Sequence, residues 1–275
     1  MSEARHEPPP AREADFWRYD HQAVSKGRGP LAVESALELV VGGRPHSLLM
    51  RTPGADVELV TGFLFTEGLI DAPADIAAME FVPGPEFLGV AGARVLVDLP
   101  GLAPDRPLPE RTALSLASCG LCGKEDLERL GRGLSRVRSK QGFAWSVLTE
   151  LLLDLRRHQP LYEQTRGVHA VALYDADGRF RACFEDVGRH NALDKVVGKA
   201  LREGWSFGDK LVVLSGRASL EMVLKAVRAG VPLMLCFSSP TILAVEAAKT
   251  LNLTLVGRRE EHYLAAYTHA RRVKD

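Results

Sequence analysis

The sequence predicts an α/β protein, and three observations carry that reading. First, the second half alternates short apolar runs with segments of helical spacing: Lys210–Leu214, Ala218–Ala229, Pro232–Phe237, Pro240–Leu251 and Thr254–Val256. Second, the runs are bounded by helix and turn signals, such as Gly230 after the second segment and Pro232 after it. Third, 46% of the 275 residues are hydrophobic and 25% charged, the balance of a globular chain with a full core. Such βαβα alternation argues for a largely parallel sheet in the second half. The length suits one large domain or two modest ones.

Residues 1–30, with Pro8, Pro9 and Pro10 and many charges, read as a flexible lead-in. Val33–Val41 and Ser47–Met50 flank Gly42-Gly43, a hairpin signal. Asp56–Gly68 reads as a helix with Val57, Val60, Phe63 and Leu64 on one face and Asp56 as its cap. Ala93–Leu99 alternates like a strand. Residues 100–140 break the pattern with four prolines and the string Ser118-Cys-Gly-Leu-Cys-Gly123; so long an irregular stretch, holding a thiol pair, is read as functional. Phe143–Arg157 is helical, with Val147, Leu148, Leu151, Leu152 and Leu155 in phase. Val168–Tyr174 and Phe180–Phe184 form strands around Asp177-Gly178, and His190–Glu203 is a further helix.

Several function classes fall away. Lys+Arg and Asp+Glu are both 35, so no bulk positive field draws nucleic acid or acidic membranes. No apolar run approaches the 18 or so residues of a membrane span, and Met1–Pro10 has no apolar signal region. Four cysteines make no disulfide scaffold. A cytoplasmic protein with a functional thiol pair is expected.

Four constellations carry chemistry. Cys119-Gly-Leu-Cys122 sits among glycines that let amides face the sulfurs, with Lys124 nearby. Such a pair can exchange disulfides, hold a metal or carry a transferable sulfur. Zinc deamination is excluded, because no His-x-Glu precedes and Ser118 stands where that motif has proline. Glu185-Asp-Val-Gly-Arg-His-Asn191 concentrates polar groups between a strand and a helix, and reads as a binding or acid/base segment. Ser215-Gly-Arg-Ala-Ser219 and Ser238-Ser-Pro-Thr241 each follow a strand and open a helix. Loops at the carboxyl ends of parallel strands converge on one edge, so a pocket for a phosphate-bearing anion is expected there. Arg189, His190, Ser215 and Arg217 are its candidate residues. His158 and His269 lack metal-ligand spacing and read as surface or satisfied core histidines.

At these residues the chain resembles the FdhD family of formate dehydrogenase accessory sulfurtransferases. The resemblance rests on Ser118–Gly123, on Glu-Asp-Val-Gly-Arg-His-Asn-Ala-Leu-Asp-Lys at 185–195, and on Ser215–Ser219. Gly62-Phe-Leu-Phe-Thr-Glu-Gly68 and Leu253-Thr-Leu-Val-Gly257 extend it. It implies a sulfurtransferase that takes sulfur from a cysteine desulfurase as a persulfide on Cys119, with Cys122 as partner. The acceptor it implies is the bis-molybdopterin guanine dinucleotide form of the molybdenum cofactor, destined for formate dehydrogenase. It also implies a homodimer and a cytidine deaminase-like α/β domain over 141–275. A smaller α+β subdomain over 31–140 would then include a mobile Cys loop. The family's cofactor segment falls, by position, on Arg258, Arg259, Glu260, Glu261, His262 and Tyr263, where the family pattern Phe-x-Arg-Gly is replaced. The family's Thr-Gly-Gly-x-His stands here as Thr165-Arg-Gly-Val-His169. Two rivals remain: a non-catalytic cofactor-binding chaperone, and a disulfide oxidoreductase or zinc-clamped loop.

Overall fold

Local signals in the first half resolve into two hairpins, a helix and a sheet. The computed structural model describes residues 8–102, 134–260 and 263–275. Strands β1 (Ala11–Tyr19) and β2 (Val24–Ala32) pair antiparallel. The stretch read as a flexible lead-in therefore holds a hairpin, mostly exposed. Its turn is made by Asp20, whose carboxylate accepts the amides of Gln22 and Ala23 at 3.1 and 3.0 Å. Cross-strand pairing of Asp15 with Lys26 stands in for the apolar alternation that marks a half-buried strand.

Strands β3 (Ser35–Val41) and β4 (Arg44–Arg51) join through Gly42 and Gly43, at φ 55° and 76°. Both angles are left-handed, which the tight two-residue hairpin turn requires and glycine adopts freely. Helix α1 (Asp56–Thr66) follows. Asp56, expected as its cap, is its first helical residue and pairs with buried Arg51 at 2.6 Å. Ala55 takes the cap position instead. Strands β5 (Ala78–Pro83) and β6 (Ala93–Asp98) complete a sheet in the order β4-β3-β6-β5. Leu37, Leu39, Val95 and Val97 of this sheet pack on Leu59, Val60, Phe63 and Leu64 of α1.

The second half begins with β7 (Phe143–Ala144) and α2 (Trp145–Arg157), then α3 (Pro160–Thr165), β8 (His169–Asp175) and β9 (Phe180–Asp186). Helix α4 (Arg189–Arg202), β10 (Lys210–Leu214), α5 (Leu220–Ala229), β11 (Leu233–Cys236) and α6 (Ile242–Thr250) alternate as the periodicity predicts. Strands β12 (Thr254–Glu260), β13 (Tyr263–Ala266) and β14 (Val273–Lys274) end the chain. The sheet order is β13-β12-β11-β10-β8-β9.

This sheet is mixed rather than largely parallel. Only β10-β11 and β11-β12 pair in parallel; β8-β9, β8-β10 and β12-β13 are antiparallel. The tight turn at Asp177-Gly178 forces β9 back along β8. Helix α4 then carries the chain across β8, so β10 pairs on its far side, antiparallel to it. Helices cover both faces, as the continuous apolar strands require. Leu173, Val212, Leu214, Met234 and Leu255 face α4, α5 and α6. Ala172, Tyr174, Leu211, Val213 and Leu235 face Leu148, Leu151, Leu152 and Leu155 of α2.

Helix α1 joins the two halves by crossing α4 without side chains in between. A Cβ on Gly62 would lie 1.8 Å from the carbonyl oxygen of Asp194, and one on Gly198 would lie 1.9 Å from that of Glu58. Replacing either glycine by alanine improves helix propensity by up to ~1 kcal/mol, but forces the two backbones apart. We expect Gly62→Ala and Gly198→Ala each to lose about 1–3 kcal/mol in urea unfolding, as overpacked cores do. An unchanged midpoint would show that the helices separate freely.

Candidate functional site

The carboxyl ends of β10 and β11 and the start of β8 meet at one sheet edge, because β8 runs opposite to its neighbour. There Ser215, Phe237 and His169 line a cavity of about 580 Å³. Its other wall comes from Arg156 at the end of α2, Tyr162 and Glu163 of α3, and Arg166. This is the edge at which a pocket was expected, although the sheet is mixed.

Each wall residue has a local cause. Helix α3 is short, and two of its first amides, Leu161 and Tyr162, donate to the Glu185 carboxylate of β9 at 2.8 and 2.7 Å. Burial pushes the Glu185 carboxyl above its usual range, against the lowering by those amides. Arg166 ends α3 at φ 54°, a left-handed angle that suits the glycine of the family pattern. Here it brings a guanidinium to the wall, 3.0 Å from Glu163 and 5.1 Å from the Tyr162 ring centre. Ser215 ties β10 to β8: its amide donates to the Ala170 carbonyl at 2.9 Å, and its hydroxyl oxygen accepts the Ala170 amide at 2.8 Å.

His169 sits at this edge below its ordinary pKa of 6.5, held down by burial and then by the Arg189 guanidinium, with Asp186 opposing. That shift favours its neutral form. The cavity thus combines guanidinium groups, the Glu163 carboxylate that pairs with one of them, a hydroxyl, an imidazole and two aromatic rings. That set suits an anionic ligand that also carries flat apolar surface.

The sequence-predicted residues are distributed unevenly around it. Ser215 lines the cavity. Arg189 acts on it through His169. Arg258 lies 6.0 Å from the ring centre of Phe237, at the cavity margin. His190 faces Glu221 at 3.4 Å and Ser219 at 3.5 Å, and Arg217 is exposed. Arg259, Glu260 and Tyr263 are exposed on the β12–β13 hairpin. Cys119, Cys122, Glu261 and His262 lie outside the described residues. Among the described residues no His, Cys, Asp or Glu cluster could hold a metal.

Residues 185–195 also have structural partners. Much of their polarity holds the fold rather than facing a ligand. Asp186 pairs with Lys195 at 2.7 Å and accepts the amides of Thr52 and Gly188. Asn191 donates to the Met50 carbonyl at 2.8 Å and to Asp186 at 3.0 Å. Asp194 meets Lys225 at 2.8 Å and Thr66 at 2.8 Å. Conversely, sequence reasoning missed His169, Arg156, Tyr162 and Arg166 as wall residues. The Thr165–His169 string was the available signal for two of them.

The His169 reading has a signed consequence. A histidine kept neutral by the fold contributes stability that is present above pH 6.5 and lost as pH falls below it. We expect the His169 ring to titrate below 6.5 by NMR, and its midpoint to move upward in Arg189→Met. An unmoved midpoint would remove Arg189 from its electrostatic surroundings.

Comparison with known proteins fits this architecture. The FdhD/NarQ family model matches residues 32–274. A Nocardia farcinica protein named sulfur carrier protein FdhD is 41% identical over 251 residues, covering 89% of this chain and 88% of the relative. The Streptomyces coelicolor protein of the same name is 38% identical over 260 residues, covering 91% of each. A crystal structure from Desulfotalea psychrophila, assigned as a formate dehydrogenase accessory protein, has a TM-score of 0.75 at 24% identity. It covers 97% of this chain and 100% of that one, and so shares the mixed α/β fold. With the family match spanning nearly the whole chain, this protein belongs to the FdhD/NarQ family.

Proposed function

We propose that this protein is a cytoplasmic sulfurtransferase that carries sulfur as a persulfide on Cys119. The observation that carries the reading is family membership, with relatives named sulfur carrier proteins, joined to the Cys119-Gly-Leu-Cys122 pair. In this reading the Cys119 thiolate attacks the terminal sulfur of a cysteine desulfurase persulfide. A new S–S bond forms on Cys119, the old one breaks, and the desulfurase leaves as thiolate. Attack of the Cys122 thiolate on the Cys119 sulfur then releases sulfide and leaves a disulfide. The two thiols supply the two electrons that reduce sulfane sulfur to sulfide, so reduction of the disulfide precedes the next cycle.

The acceptor is the bis-molybdopterin guanine dinucleotide cofactor, a substrate in transit to formate dehydrogenase. The cavity at the sheet edge supports this part: Arg156 and Arg166 suit phosphates, while Tyr162 and Phe237 offer flat surfaces. Arg258 at its margin, and Arg189 behind His169, extend the cationic character. We assign the remaining segment residues Arg259–Tyr263, with His190 and Arg217, to the approach of the same ligand. The reading includes a homodimer, an α+β subdomain over 31–140 and a cytidine deaminase-like domain over 141–275. A second reading is a cofactor-binding chaperone without sulfur chemistry, which rests on the same cavity and its guanidinium and aromatic lining.

Intact-protein mass after incubation with a cysteine desulfurase and L-cysteine separates the two. The native chain should gain one sulfur that reductant removes, and Cys119→Ala should gain none. Full restoration of formate dehydrogenase activity in a deletion strain by the Cys119→Ala/Cys122→Ala variant would instead favour the chaperone.

A further inference from the structure

Residues 134–140 run without a turn or bend towards β7. Val137 is buried there, and it anchors the segment: its amide donates to the Leu251 carbonyl at 2.9 Å, and its carbonyl accepts from Asn252 Nδ2 at 2.6 Å. Val137 lies buried between exposed Arg136 and Arg138, the alternation of an extended segment, in which the two arginines turn their side chains and peptide groups the other way. Both side chains are exposed. Among the described residues, neither has an ion pair, and their amides and carbonyls have no hydrogen-bond partner. Among the described residues the segment thus presents an unpaired edge, the form in which main-chain groups recruit another chain.

This edge borders a second groove, of about 720 Å³, far in sequence from the site above. Its apolar lining includes Phe65, Leu134 and Val227, and its cations are Arg136, Arg138 and Arg228. Asp71 is the one carboxylate among the described lining residues, and it pairs with Arg228 at 3.1 Å. Arg228 is further fixed by donating to the Phe65 carbonyl at 2.7 Å. Among the described residues, the unanswered charge of the lining therefore sits on Arg136 and Arg138. Two positions along an extended chain separate them by about 6.6 Å. That is also the repeat of alternate side chains on an extended partner.

We propose that this groove docks an extended acidic segment of a partner protein, which adds as a strand to the 134–138 edge. Its alternate carboxylates meet Arg136 and Arg138, its main chain pairs with their peptide groups, and its other side chains lie on the apolar floor. Charge complementarity selects the occupant. Both arginines line the groove from alternate positions of one segment, a spacing that suits alternate carboxylates of an extended partner. This inference does not depend on the sulfur-carrier reading.

The test uses the full chain and a fluorescein-labelled peptide, Glu-Thr-Glu-Val-Glu-Thr, followed by anisotropy at low salt. The native chain should bind it. Arg136→Glu/Arg138→Glu should bind about tenfold more weakly with an unchanged melting temperature, since both side chains are exposed. N-methylation of alternate peptide amides should also weaken binding. Equal affinity for native and variant chains, or for the methylated peptide, would overturn the proposal. Displacement of the peptide by equimolar pyrophosphate would overturn it in favour of a small-anion site.

Discussion

Backbone contact between α1 and α4 is the constraint on which the rest of the molecule depends. Helix α1 is buried on both sides: the four-stranded sheet takes its Leu59, Val60, Phe63 and Leu64, and α4 takes Gly62. With no Cβ at Gly62 or Gly198, each helix presses against a carbonyl of the other. Interaxial spacing is then set by main chain rather than by adaptable side chains. That closeness brings the end of α1 within reach of charged groups on α4 and α5. It also brings Thr52, just past β4, against the start of α4.

Two buried ion clusters sit at either end of this contact. At one, Lys195 bridges Asp186 and the Thr52 carbonyl, at 2.7 and 2.9 Å. At the other, Lys225 serves Asp194, Thr66 and Glu67, at 2.8, 2.9 and 3.3 Å. One ammonium among two carboxylates is an unequal match. Burial, with help from Glu67, pushes the Asp194 carboxyl up to about 6, although Lys225 and Thr66 pull it down. Such clusters contribute little net stability compared with apolar packing, but losing one partner strands a buried charge, at a cost of about 3–5 kcal/mol. They fix which surfaces of the halves meet, which apolar contacts alone would leave adjustable.

The cavity is a consequence of the same arrangement at a distance. Asp186 ends β9 and is held by Lys195, so β9 delivers Glu185 beneath the first turn of α3 at a set height. The wall carrying Tyr162, Glu163 and Arg166 is thereby hung from the ion cluster that fastens α4. Burial of His169 beside Arg189 follows from the same placement and favours the neutral imidazole. The distinctive 185–195 string is thus a positioning device for the site more than its lining.

Periodicity by itself determined the alternating elements from α4 to β12, the Gly42-Gly43 hairpin and the stripe of α2, because those signals depend on local spacing. Motif chemistry determined the family, and strand-end logic placed a pocket beside Ser215. Tertiary structure decided the rest. Strand direction in the mixed sheet depends on which side of β8 the α4 crossover lands, and no local signal encodes that choice. The β1–β2 hairpin escaped because it exposes both faces and so lacks alternation. The roles of Asp186, Asn191, Asp194 and Lys195 were illegible because their partners, Thr52, Met50, Lys225 and Thr66, are remote in sequence. A polar residue in a string looks the same whether it will face a ligand or a buried carbonyl, and only the packing of distant segments makes the difference.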